Sequence, residues 1–445
     1  MLFTDSTPVA HPAATAPPMD LAEALHALVR RLFPICRSIT GDGVRQTLAI
    51  VSEYLPDLQV HEVPSGTPAL DWTVPREWNV RDAWVKNQHG ERIIDFRAHN
   101  LHLVSYSVPV HGWFTRAELD EHLHSLPAQP DLIPYRTAYY ADAWGFCLPH
   151  SQRLALPEGP YEVCVDSTLA PGRLTYGELL LPGEQAEEVL ISCHICHPSL
   201  ANDNLAGLAV ATYLAQYLAR APRRYSYRFV FVPGTIGALT WLSRNAEAAG
   251  RVRHGLVLAL LGEPGPFTYK RSRRGTAVVD RVAAWVLSQT SGPHAVREFS
   301  PYGYDERQYC SPGFDLPVGS LSRTPFGEFP EYHTSADNLE FVRPAALLAS
   351  LRLVQDLLAV LDANRRYRNL SPYGEPQLGR RGLYNNVGGG PEGAAWRLAL
   401  LWVLNLSDGQ HSLLDIAERA GLPFAQVQQA ATALAATDLL EALPD

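Results

Sequence analysis

Three observations predict an α/β protein with a central sheet flanked by helices on both faces, an inserted small β-rich domain and a C-terminal winged helix-turn-helix. From Tyr161 onward, short apolar runs alternate with segments of helical period, as in a sheet covered by helices. Between about Pro64 and Pro157 that rhythm gives way to frequent prolines, to Trp72, Trp78, Trp84 and Trp113, and to alternating pieces such as Arg92–Phe96. After Leu370 a Gly-bearing stretch leads into short helical segments separated by turns.

Residues 1–20, rich in Pro, Ala and Thr, read as a disordered tail without the basic start and long apolar core of a signal peptide. Apolar positions Leu21, Leu25, Leu28, Val29 and Leu32 make a helix that Pro34 ends, and a second helix is expected over 44–54. The α/β domain thus takes 21–63, resumes at 158–370, and carries the insert at 64–157. Its strands are expected at 174–181, 188–193, 227–232, 255–261 and 316–321, the first two paired around Pro182-Gly183. Helices follow at 205–220, from 236, at 280–289 and at 344–361, the last opening on Pro344. A linker, 371–392, contains Gly388-Gly389-Gly390, and 393–445 forms the winged helix, with helices at 394–404, 413–420 and 424–437 and a wing strand at 439–443.

The 445 residues carry a formal charge of −9, which argues against a general affinity for nucleic acid or for acidic membrane surfaces. The helix expected to enter a DNA groove, from Phe424, has no Lys or Arg, and Arg419 is the sole Lys or Arg after Arg397. Without phosphate neutralisation little DNA affinity is generated, so no nucleic-acid partner is expected despite the winged helix. No apolar run approaches the ~20 residues that cross a bilayer, so no membrane partner is expected either. Six cysteines over this length do not form a disulfide framework and read as reduced thiols of a cytoplasmic protein. A homodimer through the terminal module is compatible with its apolar helices, although Leu413, Ile416, Val427 and Leu434 read first as its own small core.

The chemistry concentrates in Ser192–Gly207, a loop between a buried strand and a helix that Asn204 is placed to cap. His194, His197 and Asp203 supply imidazole nitrogens and carboxylate oxygens, zinc's usual enzymatic ligands, at the carboxyl end of a strand where open sheets place sites. Cys193-x-x-Cys196-His197 also fits a haem-attachment pattern or a redox pair, but no export signal or companion motif accompanies it; buried core cysteines are the plainer alternative. Three later segments can converge on the loop: Glu263 after the strand at 255–261, Asp305-Glu306, and His333 within Glu331-Tyr332-His333-Thr334.

Arg37–Arg45, Cys196–Gly207, Phe231–Gly237 and Glu331–Ser335, in this order on an α/β sheet, resemble the zinc-dependent aminopeptidase superfamily. They are most similar to its bacterial branch of aminopeptidase-like proteins of polysaccharide biosynthesis, which carry an inserted β domain and a terminal winged helix. The resemblance implies a mixed central sheet of zinc-exopeptidase type, with His197 or His194 as the first imidazole ligand, Asp203 as the central carboxylate and His333 as the second imidazole. His197 is favoured and His194 is expected behind it. Glu263 approximates the acidic ligand after the middle strand.

One departure bears on mechanism. Where active members of the superfamily carry two adjacent glutamates, one the general base, this chain reads Pro233-Gly234-Thr235. The expected scheme therefore has His197, Asp203 and His333 holding one zinc, of one or two ions in all, with Glu306 as base, Asp305 or Glu331 next in line, and Tyr332 with Arg273 or Arg274 facing the oxyanion. The expected substrate is a small peptide or an amino-sugar conjugate. A catalytically silent binding or assembly module on the same fold is the alternative.

Overall fold

The computed structural model describes residues 19–384 and 391–444. Most of the expected tail and Gly388–Gly390 of the expected linker lie outside the described residues.

An eight-stranded mixed sheet forms the frame, in the order Gln59–Pro64, Arg173–Leu181, Ser226–Val232, Glu188–His194, Val252–Leu258, Val318–Ser322, Phe267–Lys270, His294–Arg297. The four strands from Ser226–Val232 to Val318–Ser322 run parallel, so their carboxyl ends open on one edge. Every residue of Glu188–His194 and Ser226–Val232 is buried, which is why both are largely apolar, with Glu188 and Arg228 as the charged exceptions. The expected pairing around Pro182-Gly183 does not form. Arg173–Leu181 and Glu188–His194 each pair with Ser226–Val232, which lies between them.

A charged cluster ties these central strands. Arg228 bonds Glu188 through Nε at 2.5 Å and Glu178 through a terminal nitrogen at 2.5 Å, while Arg251 reaches Glu188 at 2.8 Å. Trp241 Nε1 donates to Glu178 at 3.0 Å. Each buried charge is therefore partnered, as burial requires.

Helices Met19–Leu32, Gly207–Ala219, Val278–Ser288 and Pro344–Ala363 pack on one face of the sheet around a core that includes Leu28, Leu208, Val282 and Leu357. Against the expectation that no apolar run approaches the span of a bilayer, Pro344–Ala363 is the one described helix with that length and apolarity, and half of its apolar stretch is buried in this core.

The insert is organised around a four-stranded antiparallel sheet, Arg92–Asp95, Glu77–Lys86, Tyr161–Ala170, Val110–Phe114. Its Tyr161–Ala170 strand lies beyond the boundary expected at 157, because that strand completes the sheet by pairing along most of Glu77–Lys86. The terminal module likewise begins before 393. Arg366–Asn369 sits between Asp408–Ser412 and Leu440–Ala442 in a three-stranded sheet, beneath helices Pro391–Leu406, Leu413–Ala420 and Phe424–Ala435. Ser412 and Asp415 form a capping box on Leu413–Ala420, and Gly421 closes that helix at φ 64°. Arg281 of the α/β domain holds the module through Asp415 at 2.7 Å and Glu418 at 2.5 Å.

Candidate metal centre

His194 is the last residue of its buried strand, so its ring is delivered to the open edge with almost no freedom. Its Nε2 lies 2.8 Å from Asp203 Oδ1. His197 Nδ1 lies 3.2 Å from Asp203 Oδ2, and His333 Nε2 lies 3.0 Å from that oxygen. One fully buried carboxylate is thus bracketed by three imidazoles. His194, His197 and Asp203 offer ligand atoms all within 4.8 Å of one another. The structure therefore places His194 inside the donor group rather than behind it, because the strand aims it directly at Asp203.

The turn carrying Asp203 is held from behind. Asp337 accepts from the backbone amides of Asn202 at 2.5 Å and Asp203 at 3.0 Å, and burial raises its carboxyl to about 7. Asn204 Oδ1 accepts from the Gly207 amide at 3.2 Å at the start of the helix, and its Nδ2 donates to Leu258 O at 3.0 Å. Arg37 Nε donates to His197 O at 3.0 Å. Replacing Asp337 by alanine frees both amides, and the expected result is a 10–100-fold loss of metal affinity, read by competition with a chromogenic chelator. An unchanged affinity would show that the turn holds its shape without this residue.

Aromatic rings enclose the group. Tyr304 stacks on His194 at 4.5 Å, Tyr332 stacks on His333 at 3.9 Å, and Tyr135 stands edge-on to His197 and His333 at 5.2 and 5.1 Å. Tyr135 belongs to the insert, which is stitched to the His333 loop. Tyr135 N donates to His333 O at 2.8 Å, and Ser335 N donates to Ile133 O at 2.9 Å.

The electrostatics fit a cation site. Burial pulls the His194 and His333 rings toward the neutral form, although Asp203 opposes it. At His197 burial acts the same way, but Asp203 and Cys196 outweigh it and the ring is held protonated well above its usual range. Burial works against the Asp203 carboxylate, yet His197 and the hydrogen bonds from the three rings keep it ionised well below its usual range. Two neutral imidazoles, a carboxylate and a displaceable proton make the donor set a zinc ion takes.

The other expected residues divide. Asp305 is fully buried, neither carboxylate oxygen has a hydrogen-bond partner among the described residues, and burial together with Glu306 raises it to about 7. It lies beside the Pro233-Gly234-Thr235 turn: a Cβ on Gly234 would stand 3.2 Å from His194 Cβ and 3.8 Å from Asp305 Oδ1. Glu306 instead forms an ion pair with Lys270 at 2.5 Å. Glu263 is not in the donor group. Its carboxylate is occupied by the amides of Gly265 and Thr324, the latter at 2.9 Å, so it braces a turn. Arg273 and Arg274 are engaged by Asp315, at 2.7 and 3.2 Å, and do not face Asp203. Cys193 and Cys196 are buried free thiols, Cys193 accepting from Asn204 Nδ2 at 3.3 Å. Sequence reasoning missed Tyr135 and Asp337, whose roles depend on the fold; Tyr304, inside the tyrosine-rich stretch before Asp305, offered only a weak signal.

Fold and site together define an aminopeptidase-like α/β protein with a terminal winged helix. Residues 26–364 match the family described as domain of unknown function DUF4910, and residues 365–442 match a winged helix-turn-helix family. The chain belongs to the DUF4910 family. A Clostridium acetobutylicum protein named for polysaccharide biosynthesis and an aminopeptidase-like domain is 47% identical over 417 residues, covering 94% of this chain and 96% of that protein. A crystal structure from that organism, described as a peptidase, aligns with TM-score 0.90 at 45% identity over 96% of this chain and 97% of the other. A zinc aminopeptidase from Bacillus subtilis shares the fold, with TM-score 0.56 and 11% identity over 76% of this chain and 94% of that one.

Proposed function

We propose that this protein is a zinc-dependent amide hydrolase of aminopeptidase type, acting in the cytoplasm on a small peptide or amino-sugar conjugate in surface-polysaccharide biosynthesis. The observation that carries the reading is the buried Asp203 carboxylate set among His194, His197 and His333. A binding scaffold gains no stability from such an arrangement, since burying that carboxylate costs desolvation that its partners must offset.

His194, His197 and Asp203 would hold the ion, with His333 beside them. Zinc, when bound, supplies a Lewis acid that polarises a carbonyl and makes water more acidic. Asp305 is the better placed base. Its carboxyl lies beside the Gly234 turn and, at about 7, exchanges a proton near neutral pH, whereas the Glu306 charge is matched by Lys270. The Tyr304 and Tyr332 hydroxyls lie 3.5 Å apart beside the imidazoles, and burial keeps both protonated, so they can donate to a developing oxyanion. Tyr135 and the loop it grips form the third wall.

The test is metal content per chain by elemental analysis, followed by a screen of peptide and acylamino-sugar amides with and without chelator. Stoichiometric zinc and a chelator-sensitive hydrolysis are expected, both lost in His194→Ala. A protein that stays metal-free after reconstitution, or turnover indifferent to chelator, would overturn the assignment.

A further inference from the structure

Next to the metal centre, on the other side of Tyr304, lies a cavity of ≈330 Å³ whose lining is unusual for an α/β sheet. Its floor is the antiparallel pair Phe267–Lys270 and Val318–Ser322, with Thr268 opposite Ser322 and Lys270 opposite Ser320. Cross-strand partners share a face, so four polar side chains line one side of the sheet, while Tyr269 and Leu321 fill the core on the other. The Thr268 and Ser320 hydroxyls have no hydrogen-bond partner among the described residues. Folding does not use these groups, which leaves them for an occupant.

The rim is aromatic. Tyr302, 71% exposed, meets Phe326 edge-on at 5.3 Å, and Phe326 meets Tyr304 at 5.2 Å. Tyr304 is the shared wall, its ring stacked on His194. Charge in the cavity is already spent. Lys270 pairs with Glu306 and donates to Ser300 O and Tyr302 O at 3.2 and 3.0 Å; Arg297 is held by Glu328 at 2.7 Å; Glu298 faces Arg271 at 3.3 Å.

These properties narrow the occupant. An ionic ligand would enter with no unmatched countercharge, at the cost of burying a lone charge. An aliphatic side chain would cover unpartnered hydroxyls, which is also unfavourable. A neutral ring with hydroxyls at its edge and C–H groups on its faces meets both needs, and the volume, at the small end of the roughly 300–1,000 Å³ of ligand sites, suits a single ring.

We propose that this cavity selects the substrate by binding a neutral polyhydroxylated ring, a sugar or N-acylated amino sugar, and presents the attached amide past Tyr304 to Asp203 and its imidazoles. The assignment rests on the amide-hydrolase reading, but binding can be tested apart from turnover. N-acetylglucosamine, N-acetylgalactosamine and, for contrast, leucinamide are titrated into the chelator-treated full chain by ligand-observed NMR. Saturable binding of at least one sugar is expected, weakened tenfold or more in Tyr302→Ala and in the isosteric Thr268→Val, with thermal unfolding unchanged.

Absence of sugar binding, sugar binding indifferent to both variants, or leucinamide binding lost in the same variants would each overturn the proposal. Sugar binding without hydrolysis of any amide would keep the subsite and remove the hydrolase. Hydrolysis of peptide amides with no sugar binding would do the reverse.

Discussion

Asp203→Ala is expected to leave the protein without bound metal and without amide-hydrolase activity, and to destabilise the metal-free chain as well. The carboxylate is the common partner of His194, His197 and His333 and sustains the protonated His197 ring. Its removal leaves that buried cation without its charge partner, a change that costs about 3–5 kcal/mol when one member of a buried pair is lost. Relaxation of His197 to the neutral form brings the loss toward the lower end. Asp203→Asn keeps the shape and an acceptor, so it should lose metal with a smaller loss of stability. Elemental analysis and urea unfolding of the wild type and both variants check this. A stability change below about 1 kcal/mol in the alanine variant would mean that the cluster is not electrostatically coupled.

Asp305→Asn should give a more stable but far less active protein. The carboxyl titrates near 7 in the folded chain, against the 3.8 of an unperturbed Asp, so the folded state holds the proton more tightly. Its favourable contribution is complete below about pH 4 and is lost as pH rises through about 7, a penalty of roughly 4 kcal/mol at most. The asparagine side chain has no such charge to bury. In metal-free protein the variant should therefore match wild type near pH 4 and exceed it above pH 7, by urea midpoint. If Asp305 is the base, the same substitution lowers kcat by about 10²–10⁴. Glu306→Gln, which breaks the ion pair with Lys270, should lower stability rather than raise it and retain more activity. Equal activity in Asp305→Asn and wild type would move the base elsewhere.

Much of the frame was legible because it follows from local chemistry. The strand from Glu188 is an apolar run, the helix at 344 opens on Pro344, and the turn residues after Leu370 separate short amphipathic helices. Boundaries slipped where pairing, rather than composition, decides membership. Tyr161–Ala170 joins the insert by pairing with Glu77–Lys86, and Arg366–Asn369 joins the terminal sheet through Asp408–Ser412 and Leu440–Ala442.

By itself the sequence determined the α/β class, the insertion, the winged helix and the concentration of ligand-type residues in the 192–207 loop, since periodicity, turn chemistry and residue type are local properties. Only the tertiary structure decided which of those residues meet. It turned His194 onto Asp203, carried His333 across some 130 residues of chain to the same carboxylate, and drew Tyr135 in from the insert. It also spent Glu263 on backbone amides and Glu306 on Lys270, leaving Asp305 buried and unpaired. The reason is physical. A carboxylate's role is set by the cations, amides and water it meets after folding, and those neighbours come from strands far apart in the chain.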